Sequence, residues 1–225
     1  MPFIEFDSTI DGVLVGIWEV CEDEMFFLTK LKMYEHEWSR LERITHPKKR
    51  LEWLSSRLVM KEILKIGYTD RVQSMNSDTG KPYLSNRAYN ISYTHSGKYS
   101  AAIASPDFEV GIDMEYLKRK RNMETRRLFM NPLEISRFEA NPDFNYFILL
   151  WSAKETLYKV YGKKGVSFRE HISFQLDEFS LGARGLLKGK VDTGNDLKEY
   201  DIYYAFRGDF LLTYTIDCLK PVLAS

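Results

Sequence analysis

Apolar and polar positions along the chain follow two periods, and the places where the period changes mark out the elements. Residues 12–20 (GVLVGIWEV) are short, β-branched and bounded by Asp-Gly and acids, which predicts a strand. From Glu22 to Glu42 the apolar positions Met25, Phe26, Leu28, Leu31, Tyr34, Trp38 and Leu41 recur at helical spacing, as two short helices. Thr45-His46-Pro47 reads as a helix start. The segment after it carries Leu51, Leu54, Leu58, Ile63 and Ile66 on one stripe, with Gly67 as the expected C-terminal cap. Residues 72–90 are polar and turn-rich around Asn76–Pro82. NISYTHS (90–96) and the small-residue run YSAAIAS (99–105) come next, then a Pro106-Asp107 turn and VGIDMEY (110–116). The last two stretches are expected to pair as strands across that turn, and His95 is expected in a polar loop just before a strand.

In the second half, Asn131-Pro132-Leu133-Glu134 has the form of an N-cap with proline at the first helical position and an acid at the third. Residues 143–161 carry a long helical pattern closed by Gly162. From Ile172 onward ISFQLDEF, YDIYYAF and FLLTYTID read as antiparallel strands, the final two joined by a tight turn at Arg207-Gly208-Asp209. The resulting order, β-α-α-β-β followed by α-α-β-β-β, predicts an α+β fold in two closely packed halves, residues 1–106 and 107–225.

Composition narrows the function classes. At 225 residues with 44% hydrophobic and 28% charged, the chain can bury a sizeable core. Lys+Arg and Asp+Glu are both 32, so the net charge is zero and the basic excess of a duplex DNA-binding protein is missing. An anionic ligand must then be met by local clusters. Cys21 and Cys218 lie far apart with no metal-ligand spacing, as expected in a reducing cytoplasm. No apolar run approaches the roughly 20 residues that span a bilayer. A soluble cytoplasmic protein with no nucleic-acid or membrane partner is expected.

Several residue groups could carry chemistry. Asp113 and Glu115 lie two apart in a predicted strand, so both point to one face, and a divalent cation is one reason to tolerate that repulsion. A wet strand end is the ordinary alternative. Trp151, Glu155 and Lys159 share a helix face with Lys154 beside it. Glu155 and Lys159 could be a plain surface pair, although Glu155 falls near the apolar border. Thr94, His95, Ser96 and Gly97 suit a backbone that approaches phosphate, with His95 as donor, or a merely structural loop. Gly80-Lys81-Pro82 is a turn on its own merits. Arg40, Lys48, Lys49, Arg50 and Arg57 could form a solubilising face, and Lys118–Arg121 a solvated basic loop.

Taken in order, these motifs resemble one family. Gly80-Lys81-Pro82, Ser92-Tyr93-Thr94-His95-Ser96, Gly111-Ile112-Asp113-Met114-Glu115 and Trp151-Ser152-Ala153-Lys154-Glu155-Thr156-Leu157-Tyr158-Lys159 are similar to the motifs of the surfactin-synthetase-activating (Sfp) type of 4'-phosphopantetheinyl transferases. The run Arg50–Arg57 resembles a further upstream motif. Thr156 departs from the family's usual Ala or Ser. The likeness covers roughly residues 40–170.

That resemblance implies two similar α+β halves, related by a pseudo-twofold, each an antiparallel sheet packed with helices, with the active site in the cleft between them. It implies a monomeric enzyme that moves the phosphopantetheine arm of coenzyme A to a serine of an apo acyl or peptidyl carrier protein. Asp113, Glu115 and Glu155 would hold Mg²⁺, with Mn²⁺ an alternative. Glu155, directly or through water, would take the serine proton. Lys154, Lys159 and His95 would contact the pyrophosphate and the transferred phosphoryl group. Gly80, Lys81, Pro82 and Thr94 would line the coenzyme A site, and Arg40 and Lys48 would meet its 3'-phosphate. Lys118–Arg121 could steer acidic carriers. Two rivals stand beside this. A coenzyme A binder without activity fits poorly with a full acid and base set, and a Mg²⁺-dependent phosphohydrolase lacks a second carboxylate cluster.

Overall fold

A computed structural model of the chain describes residues 3–6, 10–65 and 72–218. It divides into two compact units, Met1–Asp107 and Phe108–Ser225.

The first unit contains β1 (Phe3–Phe6), β2 (Leu14–Glu19), α1 (Glu24–Lys30), α2 (Glu35–Glu42), α3 (Pro47–Leu64), β3 (Ser74–Asn76), β4 (Pro82–Leu84), β5 (Asn90–Ser96) and β6 (Tyr99–Ser105). Its sheet runs β1-β2-β6-β5-β4-β3, with antiparallel neighbours. The Asp23 side chain caps α1 by accepting from the Phe26 amide at 2.9 Å. Proline at its first position opens α3, as expected. The helix ends at Leu64 with Lys65 in the left-handed region (φ 50°), two residues before the expected cap; Ile66 and Gly67 lie outside the described residues. Leu54, Leu58, Val59 and Met60 of α3 pack on Ile91, Ala102 and Ala104. Small residues on β6 let the helix lie close, and the buried hydroxyls of Ser55 and Ser100 meet at 2.6 Å.

Two sequence expectations change here. NISYTHS is strand β5 throughout, so His95 sits in a strand opposite Ser100 and not in a loop. The loop is the two-residue Gly97-Lys98 turn, where Gly97 takes φ 63°. The expected pairing of 99–105 with 110–116 does not form, because β2 and β5 already occupy both edges of β6.

The second unit contains β7 (Phe108–Tyr116), a 3₁₀ turn at Met123–Thr125, α4 (Arg126–Phe129), α5 (Pro132–Ala140), α6 (Phe144–Tyr161), β8 (Ile172–Phe174), β9 (Arg184–Asp192), β10 (Leu197–Arg207) and β11 (Phe210–Cys218). Its antiparallel sheet has the order β7-β11-β10-β9-β8, which pairs the first strand of the unit with the last. A complete capping box opens α5, between the Asn131 and Glu134 side chains and each other's backbone amides. Asp143 caps α6 and Gly162 closes it at φ 67°, as the sequence predicts. Phe147, Ala153, Leu157 and Val160 of α6 bury against Leu187, Val191 and Ile202. The fold is thus α+β in two similar halves, each an antiparallel sheet with an 18-residue helix, α3 in one and α6 in the other. No helix among the described residues is long and apolar enough to cross a membrane.

Gly111 fixes how closely α6 lies on β7. A methyl group there would stand 2.5 Å from the Thr156 carbonyl oxygen and 2.9 Å from the Val160 amide, both backbone atoms that cannot rotate aside. Gly111→Ala should therefore cost about 1–3 kcal/mol through overpacking. Urea denaturation checks this; an unchanged midpoint would contradict the close approach.

Candidate functional site

Helix α6 and strand β7 bring together most of the acidic residues singled out above. Asp113 and Glu115 share one face of β7 and are both buried, at 6% and 4% exposure, so the strand end is not wet. Lys159, one turn from the end of α6, donates to Asp113 Oδ1 at 2.7 Å and to the Ile112 carbonyl at 3.0 Å. Ser152 donates to Asp113 Oδ2 at 2.8 Å. Its oxygen and that of Thr156 lie 2.8 and 2.6 Å from the Thr213 hydroxyl, directly across the sheet from Asp113. This buried series of hydroxyls fixes the Asp113 carboxylate from the helix side, while Lys159 neutralises it.

Glu115 is held differently. It forms a close ion pair with Arg121 and accepts a hydrogen bond from the Trp151 indole, and the Arg121 guanidinium lies 4.9 Å from the Trp151 ring centroid. Burial pushes the Glu115 carboxyl up and the Asp113 charge adds to this, against Arg121 and Trp151. Glu155, half-buried on α6, is pushed up first by burial and then by Asp113, with Lys159 opposing and Glu115 adding. The three carboxylates thus repel one another, with Lys159 and Arg121 as their counter-charges. Among the described residues no group of three or more His, Cys, Asp or Glu side chains forms a ready metal cluster.

Lys154 is not placed to meet a pyrophosphate. Its side chain has no exposed surface, and its ammonium lies 2.8 Å from each of Glu134 Oε2, the Phe168 carbonyl and the Ile172 carbonyl. An ammonium has three protons, and all three are used. Burial lowers the Lys154 pKa and raises that of Glu134, each opposed by the other's charge. The sequence held a signal for this. Leu150, Lys154 and Leu157 fall at i, i+4 and i+7, so the lysine stands on the apolar stripe.

The remaining predicted residues lie in the first unit. His95 is exposed on β5, with Nδ1 3.5 Å from Glu52 Oε2, and Thr94 beside it is buried. Gly80 turns at φ 88° between β3 and β4, flanked by hydrogen bonds that link Ser77 with Gly80 and Lys81. Lys81 is half-buried, and Pro82 begins β4. Arg40 and Lys48 are exposed near the end of α2 and the start of α3. Two neighbouring arginines are half-buried and engaged within the unit. Arg50 clamps Glu24 and the carbonyls of Leu41 and Ile44, and Arg57 stacks 3.5 Å from the Trp53 ring centroid. The basic run 118–121 also divides: Lys118 is exposed, 3.5 Å from Asp209, whereas Arg121 turns inward to Glu115. Arg121 and the Ser152–Thr213 hydroxyls are the site residues that sequence reasoning missed.

The segment that carries these carboxylates and the lysine is similar in sequence to known proteins. Residues 109–214 match the model of the 4'-phosphopantetheinyl transferase superfamily. A 4'-phosphopantetheinyl transferase of Bacillus subtilis is 36% identical over 108 residues, covering 45% of this chain and 43% of that protein. A putative 4'-phosphopantetheinyl transferase of Synechocystis is 28% identical over 143 residues, 58% of this chain and 57% of that protein. The chain thus spans about half the length of the curated relatives it matches.

The Lys154–Glu134 pair yields a stability prediction. Removing one partner strands the other charge, so Lys154→Met should cost roughly 3–5 kcal/mol. Glu134→Gln keeps the amide-capping oxygen, and the double variant should recover at least half of that loss. Chemical denaturation of the two variants measures both effects; a double variant no more stable than the single would disprove the coupling.

Proposed function

We propose that the protein transfers the 4'-phosphopantetheine group of coenzyme A to a serine hydroxyl of an apo carrier protein, releasing adenosine 3',5'-bisphosphate. The observation that carries this reading is the grouping of Asp113, Glu115, Glu155 and Lys159 on β7 and α6, within the segment that matches the superfamily. The curated relatives are transferases of this kind by name, which supports coenzyme A and a carrier as substrates. We place the protein in the cytoplasm, acting as a monomer.

Asp113, Glu115 and Glu155 are the residues that would hold Mg²⁺ or Mn²⁺. They fit a hard divalent cation by chemistry, being all-oxygen donors, and by electrostatics, since burial and mutual repulsion push Glu115 and Glu155 up. Bound there, the ion supplies neutralising charge for a pyrophosphate. Glu155 accepts the proton of the attacking serine, and its raised pKa brings it nearer the working pH of a general base. Lys159 is partly exposed and steadies the transferred phosphoryl group. His95, Lys81, Arg40 and Lys48, with Gly80, Pro82 and Thr94, are proposed contacts of coenzyme A. Lys154 is left out, since its ammonium has no proton to spare.

Intact-mass spectrometry tests the reaction. An apo carrier incubated with the protein, coenzyme A and Mg²⁺ should gain one phosphopantetheine group, and should gain none when the metal is omitted. No gain with fatty-acid, polyketide and nonribosomal-peptide carriers would overturn the proposal. Glu155→Gln should reduce transfer by at least ~100-fold through loss of the general base, with the circular dichroism spectrum unchanged. Reversing the exposed charges with Lys118→Glu and Arg119→Glu should raise the carrier KM and leave coenzyme A affinity alone. Equal damage to both would rule out a steering role.

A further inference from the structure

Arg121 occupies a place where a cation is called for, and it does so loosely. It comes from the irregular segment between β7 and the 3₁₀ turn, and not from a helix or strand. Its Nη2 meets the buried Glu115 carboxylate, and one face of the guanidinium lies over Trp151. Its Nε is buried and has no hydrogen-bond partner among the described residues. Arg50 shows how the same chain builds a permanent arginine clamp: Nε and Nη2 grip Glu24 while Nη1 reaches two carbonyls. Arg137 likewise spends both terminal nitrogens on the carbonyls of Leu176 and Phe179. Arg121 makes one ion pair and one ring contact, on a segment free of helix or sheet ladders.

We propose that Arg121 is an internal counter-cation, which neutralises Glu115 when no divalent ion is bound and must leave that carboxylate before one can bind. It is a competitor for the site and not a support of the bound ion. The inference rests on the reading of Glu115 as a metal ligand. Two consequences distinguish it from a structural clamp. Loss of Arg121 should tighten metal binding, where loss of a clamp that orients Glu115 would weaken it. Loss of Arg121 should also leave the metal-free protein with an unneutralised acidic site, so that added metal restores more stability than it does in the wild type.

Direct Mn²⁺ titration of the full chain by electron paramagnetic resonance, together with melting temperatures with and without Mn²⁺, tests this. Removing a competing charged hydrogen bond should lower the Mn²⁺ Kd of Arg121→Gln about tenfold. Arg121→Lys keeps the charge but loses the planar stacking and fork, and should tighten binding by a smaller factor. Arg119→Gln removes an exposed charge from the same segment and should stay within about twofold of wild type, which accounts for general screening. Arg121→Gln should melt lower than wild type without metal and gain more on adding it. Binding by Arg121→Gln and Arg121→Lys that is equal to or weaker than wild type would overturn the proposal. Asp113→Asn separates the underlying reading: if it leaves Mn²⁺ binding unchanged, the metal site itself is wrongly assigned. If it weakens binding while Arg121→Gln fails to tighten it, only the role of Arg121 falls.

Discussion

Helix α6 can supply a site only because it lies directly on β7, and that contact depends on a residue with no side chain. At Gly111 the strand backbone comes against the Thr156 carbonyl and the Val160 amide. From that point the strand carries Asp113 to the level of Ser152 and Lys159, and Glu115 to the level of Trp151. Side chains this short can meet across a helix–sheet boundary only when the two backbones are close. Packing and chemistry are therefore one constraint here: the glycine that opens the G-I-D-M-E motif sets the separation that its acids require.

The second unit handles its buried charges in two ways. Lys154 and Glu134 form a closed pair, with the remaining ammonium protons given to carbonyls of the segment that precedes and enters β8. Asp113, Glu115 and Glu155 form an open set: three acids against two bases, with Glu155 still half-exposed. The Lys154 ammonium is fully used without a ligand, and the pair ties α6 to α5 and β8. The open set has a surplus of negative charge, which is the state in which an acidic site can accept a cation. Adjacent residues of one helix serve these two ends, because successive side chains point about 100° apart around the axis.

Much of the local structure was legible in the sequence. The Asn131–Glu134 capping box, the Asp143 start and Gly162 end of α6, and the shared face of Asp113 and Glu115 follow from short-range rules that need no partner. Strand partnering was legible for the last hairpin, where β10 and β11 pair around Gly208, but not between the runs that flank Pro106. The runs 99–105 and 110–116 look like neighbours because only a turn separates them, and nothing local records that β6 already has β2 and β5 on its two edges. The same limit hid the roles of charged residues. The sequence predicts Lys154 as a ligand-facing base and Arg121 as part of a solvated or carrier-steering run, since their partners lie in segments that only the fold brings near: Glu134, Phe168 and Ile172 for one, Glu115 and Trp151 for the other. The polar run Thr94-His95-Ser96 followed by glycine predicts a loop at His95, whereas the strand continues through Ser96 and the tight turn begins at Gly97.

The adjacent placement of Lys154 and Glu155 also determines where the chain can change length. One residue inserted between Trp151 and Glu155 would rotate everything beyond it by about 100°. The acid would then take the buried place of Thr156 against the Thr213 hydroxyl, and an insertion ahead of Lys154 would also part the lysine from Glu134. Gly162 stops the helix immediately after Tyr161, so the strain could not be passed into a longer C-terminal turn. In the connection between β9 and β10, Asp196 accepts from Tyr161 and Lys163, but Gly194 at the exposed tip turns with open space around it. Insertions and deletions among relatives should therefore accumulate in hairpin loops of that kind, while the count of residues from Asp143 to Gly162 stays constant.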